Sequence, residues 1–126
     1  MTTMQKKILI ADDNENIRDA LTYLLEDEGY ELFLAKDGKD TIRMVREHHP
    51  DVLFLDIMMP EINGYDVCKT IKEDPALKQT HIIILTAKGQ VAEQERGKEA
   101  GADEYIVKPF SPMDILSKIK TILGNR

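Results

Sequence analysis

The sequence predicts an α/β fold of five strand–helix units, with a parallel sheet covered by helices on both faces. Three observations carry this. Short, nearly continuous apolar runs recur along the 126 residues, as strands buried on both faces do. Segments of helical periodicity separate them. Four of the runs end at polar groups: Asp12-Asp13, Asp56, Thr86 and Lys108-Pro109. In an open parallel sheet such ends gather along one edge, and ligands bind in the crevice outside them.

The first strand is expected over Lys6–Ala11, ending at Asp12-Asp13. Ile17, Leu21, Leu24 and Leu25 then share one helical face, and Gly29 is placed to stop that helix. The second strand reads Tyr30–Ala35. Ile42 and Val45 mark the second helix, with Pro50 just beyond it. Asp51–Leu55 is the third strand, and Pro60 and Gly64 mark a constrained turn after Asp56. Val67, Cys68 and Ile71 mark a third helix, ended near Asp74-Pro75. His81–Leu85 is the clearest strand, its core Ile82-Ile83-Ile84-Leu85 mostly β-branched and too short for a typical helix. Gln90–Ala100 reads as a helix with a thin apolar face, and Gly97 costs it about 1 kcal/mol relative to alanine. A solvated connecting helix and a movable element both fit it. Tyr105–Val107 is the fifth strand. Ile115, Ile119, Ile122 and Leu123 mark the last helix, between Pro112 and Gly124.

Composition narrows the function. With 42% hydrophobic and 32% charged residues, a single packed domain is expected and disorder is not. No run approaches a membrane span, and the N-terminus lacks a signal-peptide pattern, so a cytoplasmic location is expected. One cysteine, Cys68, excludes an internal disulfide and a cysteine-based zinc site. A formal charge of −6 disfavours nucleic acid and anionic membranes as partners. His48, His49 and His81 have no metal-ligand spacing and read as solvated loop or strand-edge residues.

Three carboxylates, a hydroxyl and an ammonium at one sheet edge suit a divalent cation and a phosphoryl group. Asp12 and Asp13 can hold a hard cation through oxygen, although an aspartate before Asn14 also caps helices. Asp56 suits a covalent nucleophile; alone it reads as an ordinary loop aspartate. Thr86 can donate to a phosphoryl oxygen, or bond its own backbone. Lys108 can pair with the carboxylates and then with phosphate. A cis bond at Pro109 would aim it, though only about 5–6% of X-Pro bonds in folded proteins are cis.

Taken together these pieces resemble the receiver domain of two-component response regulators, over Lys7 to Leu123. The residues that carry the resemblance are Ile8-Leu9-Ile10-Ala11-Asp12-Asp13, Leu53-Phe54-Leu55-Asp56-Ile57-Met58-Met59-Pro60 with Gly64, Leu85-Thr86-Ala87, and Ala100-Gly101-Ala102-Asp103-Glu104-Tyr105-Ile106-Val107-Lys108-Pro109-Phe110. The resemblance implies a flavodoxin-like fold with strand order 2-1-3-4-5. It implies Asp56 as phosphoacceptor, and Mg²⁺ (or Mn²⁺ in its place) bound by Asp12, Asp13, Asp56 and the backbone carbonyl of Met58. Thr86 and Lys108 would contact the phosphoryl group, Tyr105 would be the aromatic switch, and Lys108-Pro109 would be cis. The implied phosphodonor is a sensor histidine kinase, and the downstream partner a target or phosphotransfer protein. The output face would be the Gln90–Ala100 helix, the fifth strand and the last helix. Met58 and Ala87 cannot orient a hydrolytic water, so a long-lived phosphoaspartate is expected; Lys88 complicates this, its reach toward the site being open.

The expectation is therefore a phosphorylation-dependent switch that catalyses only its own phosphorylation and dephosphorylation. A single receiver domain over 1–126 with no output domain within it is expected, either stand-alone or cut from a longer regulator, with monomer as the default and dimerisation as an alternative on phosphorylation. The rivals are a receiver-like binding module without the chemistry and an aspartyl-nucleophile phosphohydrolase. That second rival usually carries its nucleophile on the first strand, with another aspartate two residues on. A flavin carrier is weaker, because no phosphate-cradling loop follows the first strand.

Overall fold

The structure is a computed structural model that describes residues 5–59, 62–87 and 91–124, apart from the side chains of 91–94. Its elements run β1 (Lys7–Ala11), α1 (Glu15–Leu25), a 3-10 turn (Glu26–Glu28), β2 (Glu31–Ala35), α2 (Gly38–His48), β3 (Val52–Asp56), α3 (Gly64–Glu73), β4 (His81–Thr86), α4 (Val91–Glu99), β5 (Glu104–Val107) and α5 (Pro112–Leu123). The five strands form one parallel sheet in the order β2-β1-β3-β4-β5.

The continuous apolar runs resolve into two faces because successive strand side chains point to opposite sides. Leu9, Leu53, Leu55, Ile82 and Ile84 pack with Val45 of α2 and with Val67, Cys68 and Ile71 of α3. Ile8, Ile10, Phe54, Ile83 and Leu85 pack with Leu21 and Leu25 of α1 and with Ile115 and Ile119 of α5. β3 is central and entirely buried. Each large side chain buried in these layers contributes about 1.5–3 kcal/mol of transfer free energy.

The helices start where short polar side chains can cap them. Asn14, Asp37, Asn63 and Ser111 each accept a backbone N–H from the first turn of α1, α2, α3 and α5. Gly29 has φ 87, but it closes the 3-10 turn; α1 itself ends at Leu25. Asp56 and Thr86 are the last residues of their strands, one residue further than the apolar runs suggest. Two of the three histidines, His48 and His81, are less solvated than expected. His48 stacks on Phe33 with ring centroids 4.1 Å apart, and His81 Nε2 lies 2.9 Å from Glu104 Oε2. His49 alone is exposed, as the left-handed cap of α2. Pro60, Lys88 and Gln90 lie outside the described residues. No helix among the described residues is long and apolar enough to cross a membrane.

α4 is attached differently from the other helices. Of its described side chains only Gly97 is buried, and a Cβ there would come within 3.3 Å of Ile84 and 3.5 Å of Tyr105. A methyl group there would press on the tip of Ile84, so α4 lies close to the sheet at this residue.

Candidate functional site

β1, β3, β4 and β5 end side by side, with Ala11 level with Leu55, Asp56 with Leu85 and Thr86 with Val107. This brings together groups separated by up to 96 residues in sequence, the separation of Asp12 and Lys108.

Asp12 is fully buried, and each of its polar groups has a partner. Its N–H donates to the Ala35 carbonyl at 3.1 Å, and its carbonyl accepts from Arg18 Nη1 at 2.7 Å. Oδ1 accepts the Asn14 N–H and Oδ2 the Lys108 ammonium, each at 2.9 Å. Capping α1 is thus the work of Asn14, which accepts the Asn16 N–H at 2.8 Å and leaves Asp12 and Asp13 to the site. Asp13 is exposed beside them. The carboxylates of Asp12, Asp13 and Asp56 each place an oxygen within 4.8 Å of the others. Three hard anionic oxygens at this spacing fit an Mg²⁺-sized cation that keeps part of its water shell.

Asp56 is almost completely buried. Its Oδ1 accepts the Met58 N–H at 3.3 Å and lies 3.5 Å from Lys108 Nζ. Its carboxyl is pushed up to about 6, first by burial and then by the Asp12 charge, with a smaller push from Asp13. Lys108 and the Met58 N–H pull the other way and do not win. One ammonium shared by two buried carboxylates leaves the site short of positive charge. Met58 serves through its backbone here, and its side chain is exposed.

Gly64 fixes the far side of this loop. Its N–H donates to the Ile57 carbonyl at 2.9 Å, and an added Cβ would fall 2.6 Å from the Asp56 carbonyl oxygen. No side chain fits in that gap, so α3 begins against the backbone of Asp56 itself.

Thr86 is buried at the end of β4, and its carbonyl accepts the Lys108 N–H at 2.6 Å. The Lys108–Pro109 peptide bond is cis. Tyr105 stands away from the carboxylates, level with Ile84 and half-buried against the α2–α3 side of the sheet.

The sequence pattern does not single out Arg18, Asn14 or the contact of Arg96 with Tyr65. Asn14 has a signal, as a capping residue just ahead of a helical pattern. Arg18 has none, since nothing in the sequence says that an α1 side chain turns back to a strand-end carbonyl.

Residues 8–120 match a family model described as the response regulator receiver domain. A probable transcriptional regulator, ycf27, of Galdieria sulphuraria is 43% identical over 94% of this chain and 46% of its own length. The chain thus spans about half the length of that curated relative. The crystal structure of a putative response regulator from Chloroflexus aurantiacus superposes with TM-score 0.89 at 34% identity, over 96% of this chain and 99% of that one. The chemotaxis response regulator CheY4 of Vibrio cholerae gives 0.88 at 30% identity, over 94% and 99%.

Proposed function

The chain belongs to the response regulator receiver domain family, and from that premise we propose that Asp56 accepts a phosphoryl group from a phosphohistidine of a sensor histidine kinase. The observation that carries this is the buried Asp56 carboxylate, held beside Asp12 and Asp13 with one ammonium shared between Asp56 and Asp12.

A carboxylate oxygen of Asp56 attacks phosphorus, the phosphorus–nitrogen bond of the donor breaks, and the electron pair returns to the imidazole, which takes up a proton. Asp56 suits this role because burial and the Asp12 charge make its carboxylate more basic than usual, which strengthens it as a nucleophile, while above about 6 it is still mostly ionised. Lys108, 3.5 Å away, is placed to leave Asp12 and meet the new phosphoryl oxygens. Asp12, Asp13, Asp56 and the Met58 carbonyl would hold Mg²⁺, or Mn²⁺ in its place. Bound there, the cation supplies the positive charge that three carboxylates and one lysine lack.

Thr86 donates its hydroxyl to the phosphoryl group and draws the β4–α4 connection inward, and Tyr105 moves into the space behind it. α4 is the element this biases, because among its described side chains so little is buried. Residues 1–126 act as one cytoplasmic receiver unit that switches the α4–β5–α5 face for a target or phosphotransfer protein. It is monomeric before phosphorylation. The net charge of −6 supports a protein partner on this surface rather than nucleic acid. Met58 and Ala87 offer no group to orient a hydrolytic water, which supports a long-lived phosphoaspartate. A lifetime of seconds in the purified protein would contradict that point.

The test is intact mass after incubation with acetyl phosphate and Mg²⁺. One phosphoryl group gained by the wild type, lost with EDTA and absent in Asp56→Asn, is the expected result. No gain in folded, metal-binding protein would refute the phosphoacceptor reading and favour a binding module on the same fold.

A further inference from the structure

We propose that Tyr65 and Arg96 form a latch between α3 and α4 through which the acceptor loop opposes displacement of α4. This regulation of the site rests on the phosphoacceptor reading above. Gly64 packs against the Asp56 backbone so closely that a Cβ would fall 2.5 Å from Ile57 Cα, and its N–H is bonded to the Ile57 carbonyl. The first turn of α3 therefore cannot stay still if the Asp56–Ile57 backbone moves. The next residue is Tyr65, whose side chain is buried. The guanidinium of Arg96, on α4, lies over its ring, 4.4 Å from the centroid.

The contact is well placed to matter. Arg96 is next to Gly97, the one buried residue among the described side chains of α4. α4 thus has a close approach to the sheet at Gly97 and, one residue before it, a directed contact to α3. A cation over an aromatic face is attracted by the ring quadrupole, and the attraction falls as the cation slides off the ring. A shift of α4 relative to α3 that slides the guanidinium off the ring weakens it. The route from Asp56 through Gly64 and Tyr65 to Arg96 runs through α3, whereas that through Thr86 and Tyr105 runs through β4 and β5. A contact of this kind biases a two-state equilibrium about two- to five-fold.

The test compares wild type, Arg96→Met and Arg96→Lys. Methionine keeps the aliphatic reach without the charge, and lysine keeps the charge. Amide exchange at residues 95–99, with no phosphodonor present, should be about two- to five-fold faster in Arg96→Met and near wild type in Arg96→Lys. Beryllofluoride with Mg²⁺ should bind Arg96→Met tighter by the same factor, because the coupling is reciprocal. In a Tyr65→Leu background Arg96→Met should have no further effect. Unchanged exchange in Arg96→Met, or an effect that persists without Tyr65, would overturn the latch. Faster exchange with unchanged beryllofluoride affinity would overturn its link to the site. If wild type bound no beryllofluoride, the phosphoacceptor reading would fail on its own, and the exchange comparison would still decide the contact.

Discussion

Replacing Asp56 with asparagine should make the metal-free protein more stable at neutral pH. The carboxyl is almost fully buried, and its titration moves from 3.8 to about 6 on folding. A raised acid is a stability term that is fully favourable below 3.8 and is lost as the pH rises through about 6. At pH 7.5 the penalty for keeping Asp56 ionised in the fold is about 3 kcal/mol, at about 1.4 kcal/mol per tenfold change in proton affinity. Asparagine is close to isosteric, keeps an oxygen for the Met58 N–H, and carries no charge to repel Asp12. Its Lys108 contact is weaker, and the second carboxylate keeps that ammonium occupied. Urea unfolding in EDTA at pH 7.5, 6 and 4.5 measures the difference. The variant should lead by about 2–3 kcal/mol at pH 7.5 and by less than about 1 kcal/mol at pH 4.5. A variant no more stable than wild type at pH 7.5, or one whose lead does not shrink on acidification, would mean that burial and Asp12 do not strain this carboxylate.

Mg²⁺ should raise the stability of the wild type to urea by about 1 kcal/mol at roughly five times its dissociation constant, and by clearly less in Asp13→Asn; equal gains in both would remove Asp13 from the cation site. Gly64→Ala should cost about 1–3 kcal/mol and slow phosphorylation by acetyl phosphate, because the methyl group must displace the Asp56 backbone; a neutral substitution would show that the loop yields freely. Lys72 uses its ammonium on the carbonyls of Lys78 and Thr80 and on Asp103, at 3.0, 2.7 and 2.8 Å, so Lys72→Met should destabilise by about 2 kcal/mol in urea titrations. The Cys68 thiol is fully buried and burial pushes it up to about 12. Iodoacetamide at pH 8 should therefore label it only as fast as the protein opens, and labelling within minutes under native conditions would contradict its packing.

Much of this architecture is legible in the sequence because it depends on local signals. Apolar runs such as Ile82–Leu85 are strands and helical stripes such as Leu21–Leu25 are helices, and the structure keeps them so. The strand ends fall one residue late, at Asp56 and Thr86, because backbone pairing continues past the last apolar side chain. The gathering of Asp12, Asp13, Asp56, Thr86 and Lys108 depends on topology, once strand-end residues are read as neighbours. Contacts that depend on tertiary approach leave no trace. Arg18 returning to the Asp12 carbonyl, Arg96 covering Tyr65 and Lys72 joining three segments are decided by where helices lie, not by any local pattern. Gly64 has the sequence signature of a turn residue, whereas its work is to let α3 touch the backbone of Asp56. His48 and His81 look solvated in the sequence, but a ring partner and a carboxylate partner reach them across the fold.

The alignment of β1, β3, β4 and β5 makes the sheet a ruler for the site. Each hydrogen-bonded pairing fixes one functional group against the next, and a strand advances about 3.3 Å per residue. Inserting one residue within β3 would carry Asp56 that far past Asp12 and turn its side chain toward the opposite helical layer. The same insertion in the Pro75–Thr80 stretch ahead of β4 leaves every pairing intact. Strand length is thus under chemical constraint, while a change of length in a connection at the opposite edge of the sheet costs local packing, such as that of Leu77, and leaves the register of the site alone.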